Sequence, residues 1–272
     1  MKKPACLLNK GQVLITMFRR WFWRLRGLLL FSSATMKIVA LCVCIHLILI
    51  AAGRVAIGYT GISYKSVLLN CFSLNWPLLS RGFLWQLVTY NFLHGSLMHL
   101  LLNMWACVVF GSALERGYGA RFFLKVFLTG GVAGGLGWLG YIVLLPHLSF
   151  LAPLTAWIPE ALAHTLQAGE GLKGSPAGSI CIGASAGVFA LLGCFFALYP
   201  QRTIYVLLFF VLPLKLKSIT LLWLLLFLTI AEMIFIQSPI AGSAHLCGGV
   251  LGYVLGWRTA RSGLTLDSLP VT

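Results

Sequence analysis

Residues 179–199 read SICIGASAGVFALLGCFFALY, a run of 21 residues without a single charge. A helix crossing the hydrocarbon core of a bilayer needs about 20 such residues. Within this run Ser185 sits in GASAG, between glycines that let another helix come close. Two questions follow: how many comparable runs the chain holds, and what a serine does in one of them.

The whole chain has the same character. Of its 272 residues 60% are hydrophobic and 9% charged, and its mean hydropathy is +0.94. A soluble domain is nearer half apolar and a quarter charged. So few charges cannot cover a water-soluble fold of this length, so the bilayer is expected as the solvent for most of it. The net charge of +15 comes from 20 Lys and Arg against 5 Asp and Glu. These charges cluster between apolar runs, as topology signals do, and not in the stripe that nucleic-acid binding calls for. No nucleic-acid partner is expected. The eight cysteines form no CxxC pair, and most lie inside apolar runs. They read as small buried hydrophobes, with neither a disulfide framework, nor a metal site, nor a cofactor indicated.

Six spans are expected, at about 37–56, 93–113, 122–145, 179–199, 218–236 and 240–257. Residues 203–213, TIYVLLFFVLP, are apolar but too short to span, and read as a membrane-edge segment. With the N-terminus in the cytoplasm, 16 of the 20 Lys and Arg fall on the inner side, including Lys37, Arg116, Arg121, Lys125, Arg202, Lys215, Lys217, Arg258 and Arg261. The positive-inside rule then puts both termini inside. Residues 1–36 form a basic leader whose apolar part is interrupted by arginines, unlike the core of a cleaved signal peptide. An interfacial helix on an anionic leaflet and a disordered basic tail are both open for it. Without a transit-like pattern the leader favours a bacterial inner membrane, with a plastid or mitochondrial home left open. Two outer segments are long, 57–92 with several aromatics and 146–178. Loops of this length are more often functional than idle.

Polar groups inside a membrane mark function more often than chance. Besides Ser185, His245 lies in AHLCGG on the sixth span, and His99 and Asn103 lie in HGSLMHLLLN on the second. All three spans enter from the outer face, with Ser185, His245 and His99 five or six residues in, roughly 7–10 Å deep if helical throughout. Asn103 follows His99 by one helical turn on the same face. Gly183 and Gly187 beside Ser185, and Ala244, Gly248, Gly252 and Gly256 at spacing four, permit close contact of the fourth and sixth spans. An imidazole then comes within reach of a serine hydroxyl. His245 is the candidate base for a Ser185 nucleophile. Asn103, His99 and the Ser185 backbone N–H are candidate donors to an oxyanion. The only aspartate is Asp267, in the tail, so a Ser–His dyad is expected in place of a triad. A channel would string polar groups through the full depth. Here they stop in the outer half, and a closed-bottom cavity fits better.

These motifs resemble those of the rhomboid family of intramembrane serine proteases. GASAGVFALLG (183–193) is similar to the family's nucleophile motif and AHLCGGVLG (244–252) to its base motif. His94, His99 and Asn103 match its HxxxxHxxxN pattern, and GSALERGYGARFF (111–123) its second cytoplasmic turn. The resemblance implies an all-α membrane protein, a six-transmembrane-helix bundle over 37–258 with a short cytoplasmic tail at 259–272. It implies hydrolysis of substrate transmembrane helices near their outer end, with membrane lipids as the other partners. Ser185 would be nucleophile, His245 base, His99 and Asn103 oxyanion ligands, and His94 a residue at the cavity mouth. Two positions depart from the pattern: Ala186 where glycine is commoner, and Gln86 after Trp85 where some members carry Trp-Arg. A member that binds clients without cutting them typically lacks the serine or the histidine, and this chain has both.

Overall fold

The structure, a computed structural model, describes residues 33–55, 57, 63–144, 180–208, 212–235 and 239–263. Most of the basic leader, the 146–178 segment and most of the tail lie outside these residues. The described chain is mostly helical: α1 (Ala34–Ala52), short helices α2 (Tyr64–Phe72), α3 (Trp76–Leu79) and α4 (Gln86–Thr89), then α5 (Leu97–Tyr118), α6 (Ala120–Leu144), α7 (Ser185–Leu198), α8 (Ser218–Phe235) and α9 (Pro239–Arg261). By length and hydropathy α1, α5 and α6 are able to cross a membrane, and α7 and the Ser218–Ile230 part of α8 are shorter apolar helices. Large apolar side chains on their outer faces are exposed, among them Leu47, Leu101, Trp223 and Phe227. In water that would be a liability; against acyl chains it is the stable arrangement.

Two expectations need correction. The 203–213 segment is not a plain membrane-edge stretch. β1 (Thr203–Leu208) and β2 (Leu212–Lys217) form an antiparallel hairpin, so the fold is not wholly α. The physical reason is legible in LPLKLK: Leu214 and Leu216 alternate with Lys215 and Lys217, a period of two. Ile204 and its cross-strand partner Leu216 pack on the core while both lysines are exposed. Pro213 is tolerated because both strands of a two-stranded ribbon are edges. Ser218 closes its base, its N–H and hydroxyl both donating to Arg202 O at 2.8 and 3.0 Å. Second, the 57–92 stretch is no open loop. Where it is described, it folds into α2–α4, pinned by polar side chains.

Contacts fix the directions of the helices. Phe110 near the end of α5 meets Phe195 and Phe196 near the end of α7, ring centroids 5.3 and 6.0 Å apart. His99 near the start of α5 lies by the start of α7, so the two run the same way. On α9, a Cβ on Gly248, Gly252 or Gly256 would collide with the backbone of Ala186, Ala190 or Cys194 in turn, so α9 also runs with α7. On α6, Gly130 lies against Ala190 and Gly134 against Ala186, so α6 runs against them. The start of α1 returns to the end of α5. Both carboxylate oxygens of Glu115 accept there, from Ala34 N–H at 2.6 Å, Thr35 N–H at 2.8 Å and the Thr35 hydroxyl at 2.6 Å. A carboxylate at a helix N-terminus satisfies orphan N–H donors and complements the helix dipole. Lys37, Arg116, Arg121, Lys125, Arg258 and Arg261 thereby gather at one end of the molecule, and Ser185 lies at the other.

Candidate active site

The segment leading into α7 is extended, although its sequence reads as one continuous span. Leu74 and Cys181 exchange two backbone hydrogen bonds, 3.0 and 2.9 Å. Gly183 N–H donates to Tyr90 O at 2.9 Å, and Gly183 takes φ +129°, a conformation that L side chains rarely adopt. The chain then turns into the helix, and Ser185 is its first residue. Tyr90, almost fully buried, is held by its hydroxyl donating to Gly131 O at 2.6 Å. Gln86, the departure from the family pattern, is a buried hub: its amide donates to Asn70 O and Cys71 O and accepts from Asn75 N–H. Trp85 adds a bond from its indole N–H to Cys71 O. The α2–α4 region is therefore the brace that sets where α7 begins.

Counted along their helices, the three residues stand at different positions. Ser185, His99 and His245 are the first, third and seventh residues of α7, α5 and α9, because Gly183 and the Ser96 cap start α7 and α5 late. The structure nevertheless brings His99 and Ser185 to one place. A Cβ on Gly183 would stand 2.7 and 2.8 Å from His99 Cε1 and Nε2 and 3.7 Å from Ser185 Oγ. Only glycine leaves room for that ring. The first backbone bond of α7 runs from Val188 N to Ala184 O, and the N–H groups of its first turn, Ser185's among them, lack partners within the helix. These donors, with the positive helix end, suit a developing negative charge.

His245 sits on α9 at the start of its close contact with α7. Its neighbour Ala244 touches the α6–α7 seam at Gly134 and Ala186, and Gly248 lies against Ala186 O. Its ring stacks on Phe189, one turn after Ser185, with centroids 4.4 Å apart and planes 1° apart. Among the described residues no hydrogen bond joins Ser185 to His245. Asn103 is buried, and its amide donates to His99 O at 2.9 Å. His94 is placed before α5, 2% exposed, and not at an open mouth. Its ring meets the His99 ring edge-on at 5.2 Å, and His46 of α1 bonds to its carbonyl oxygen through Nδ1 at 3.2 Å. Sequence reasoning missed Phe189, although its place one turn beyond the serine was there to read, and named Gln86 only as a departure from the family pattern, since nothing local marks its structural role. No group of three or more His, Cys, Asp or Glu is placed to hold a metal ion among the described residues.

The chain is similar to proteins of one family. The rhomboid domain matches residues 81–262. RHOMBOID-like protein 12, mitochondrial, of Arabidopsis thaliana is 29% identical over 202 residues, 73% of this chain and 53% of that protein. Rhomboid protein 1, mitochondrial, of Saccharomyces cerevisiae is 27% identical over 175 residues, 63% and 40% of the two chains. Rhomboid-like protease 2 of Toxoplasma gondii is 36% identical over 66 residues, 24% and 23%. The chain spans about half or less of the length of these relatives. Two of them carry mitochondrial names, so the expectation of a bacterial inner membrane finds no support here. The matched stretch covers α5–α9 together with the Gln86 and Tyr90 brace, and on that extent the chain belongs to the rhomboid family.

Proposed function

We propose that this protein is an intramembrane serine endopeptidase, a six-span integral membrane protein that cuts the transmembrane helices of its substrates near the end opposite the basic face. The spans are α1, α5, α6, α7, α8 and α9, with both termini on the basic, cytoplasm-like side. The observation that carries this reading is the start of α7: a serine at a helix N-terminus, an imidazole from α5 over the adjoining glycine, and a second imidazole one turn along on α9.

His245 removes the Ser185 proton as Oγ attacks the scissile carbonyl carbon. The oxyanion of the tetrahedral intermediate takes hydrogen bonds from the Ser185 N–H, the His99 ring and the Asn103 amide, which has a second N–H besides the one bonded to His99 O. His245 returns the proton to the leaving amide nitrogen, and the C–N bond breaks. Water, deprotonated by His245, then hydrolyses the acyl-enzyme and Ser185 is restored. Ser185 and His245 are not yet hydrogen-bonded; catalytic bonds of this kind commonly tighten when substrate binds. Substrates are transmembrane proteins whose helices unwind locally to expose a peptide bond.

The test is labelling of membranes with a serine-directed fluorophosphonate, together with cleavage of a model transmembrane substrate. Wild type should label and cleave, and Ser185→Ala and His245→Ala should lose both by at least about 10³-fold. Equal labelling of all three with undiminished cleavage would sink the protease reading. A folded wild type that neither labels nor cleaves favours a client-binding member of the family.

A further inference from the structure

At the basic end of the molecule, far from Ser185, a second site is built between α6 and α9. A cavity of about 270 Å³ is lined by Lys125 and Arg258, with Phe122, Val126 and Leu255 as its apolar wall and Thr259 and Ser262 beside the cations. His245 and Arg258 stand 13 residues apart on one helix, about 20 Å along its axis. The cavity therefore belongs to the opposite face and is independent of the protease reading.

Among the described residues no Asp or Glu lines it. Glu115, at the same end, is committed to Ala34 and Thr35. Arg261 turns to the Trp257 ring, 4.0 Å from its centroid, and is not among the lining residues. Lys125 lies in the second turn of α6, where the helix dipole opposes a positive charge, so α6 itself does not explain it. The Thr259 and Ser262 hydroxyls donate to their own helix, to Leu255 O and Thr259 O at 2.8 Å each. Donors for a ligand are thus the ammonium and the guanidinium, two exposed positive groups beside an apolar wall. An anion with an apolar tail matches that chemistry, and basic pockets between transmembrane helices are known to take phospholipid head groups.

We propose that this cavity binds the phosphate of an anionic phospholipid, with Lys125 and Arg258 on the phosphate and the acyl chains against Phe122, Val126 and Leu255. The test uses the full chain reconstituted in phosphatidylcholine bilayers, with spin-labelled phosphatidylglycerol or phosphatidylcholine as reporter of motionally restricted lipid. Wild type should retain phosphatidylglycerol in preference, and Lys125→Gln with Arg258→Gln should lower that preference about tenfold. The equal-charge control, Lys215→Gln with Lys217→Gln on the hairpin, should leave it unchanged. Should the double variant fail to fold, Lys125→Gln alone, at an exposed position, should give a smaller loss in the same direction. The proposal is overturned if the pocket variants keep the wild-type preference, or if the hairpin control loses as much. It is equally overturned if millimolar inorganic phosphate displaces the lipid, which would make this a free-phosphate site.

Discussion

Two of the neighbours of α7, α9 and α8, meet it in opposite ways. Against α9 the contact is backbone on backbone: Gly248, Gly252 and Gly256 lie where any side chain would strike α7, and Gly193 of α7 lies equally close to Gly249 of α9. Against α8 neither glycine of α7 makes such a contact, and an apolar groove of about 370 Å³ remains between α7, α8 and α9. Phe189, Leu222, Trp223, Thr229 and His245 are among the residues that line it. In a bilayer the apolar effect does not press helices together, so close packing has to come from van der Waals contact and small residues. The α7–α9 seam has those residues and the α7–α8 boundary does not. The two helices that carry the proposed nucleophile and base are locked in register, while the helix beside them stands against a space that lipid or substrate side chains can enter.

The largest effect should come from breaking the seam. Gly252→Leu forces a side chain into the Ala190 backbone, which cannot move without shifting all of α7. Overpacking of this kind costs about 3 kcal/mol or more when no flexible atom is able to give way. We expect the variant to aggregate or to melt far below wild type in detergent, with fluorophosphonate labelling lost along with the fold. A variant that stays folded and labels normally would show that α9 is held by something other than this seam.

Phe189 belongs to both regions, since it stacks on His245 and lines the groove. Phe189→Leu keeps an apolar side chain facing the groove and removes the parallel ring. An aromatic pair adds about 0.5–1.5 kcal/mol beyond area. If the ring fixes the orientation of His245, most of this should appear as a loss of up to about tenfold in labelling rate, with little change in melting temperature. A change in melting temperature without a change in rate would make Phe189 a packing residue only.

How much of this was readable beforehand differs between the same two regions. The glycines at spacing four on α9 and the GASAG on α7 announced a close contact, because small-residue stripes report directly on helix approach. The common direction of α5, α7 and α9 also followed from charge placement. What failed depended on partners distant in sequence. CIGASAG reads as the interior of a span, but the pairing of Cys181 with Leu74 and the bond from Gly183 to Tyr90 hold it extended and make Ser185 the first helical residue. The first strand of the hairpin was missed for another reason: TIYVLLFFVLP is apolar throughout, and periodicity alone does not distinguish strand from helix in such a run, although its β-branched and aromatic residues and the alternation in LPLKLK favour a strand. His94 seemed open because its place in the motif says nothing of its burial, which α1 supplies through His46.

The smallest effect is expected on the loose side. Trp223 on α8 lines the groove, yet it is 64% exposed, and it is among the largest side chains there. In a soluble protein, cutting a tryptophan back to alanine at a packed site would cost several kcal/mol, through lost burial and a cavity. Neither loss applies here, because acyl chains are as apolar as the side chain removed and are free to fill the vacated space. Trp223→Ala should therefore change stability by no more than about 0.5 kcal/mol, read as an unchanged melting temperature in detergent and in bilayers. Labelling by a small fluorophosphonate should be equally unaffected, since the probe needs Ser185 and not the groove. Cleavage of a full transmembrane substrate is the sharper readout. If the groove admits substrate side chains, widening it should shift which residues are accepted near the cut while leaving the small probe unmoved. A large fall in melting temperature would mean that α8 is held as firmly as α9, and the contrast between the two neighbours of α7 would be gone.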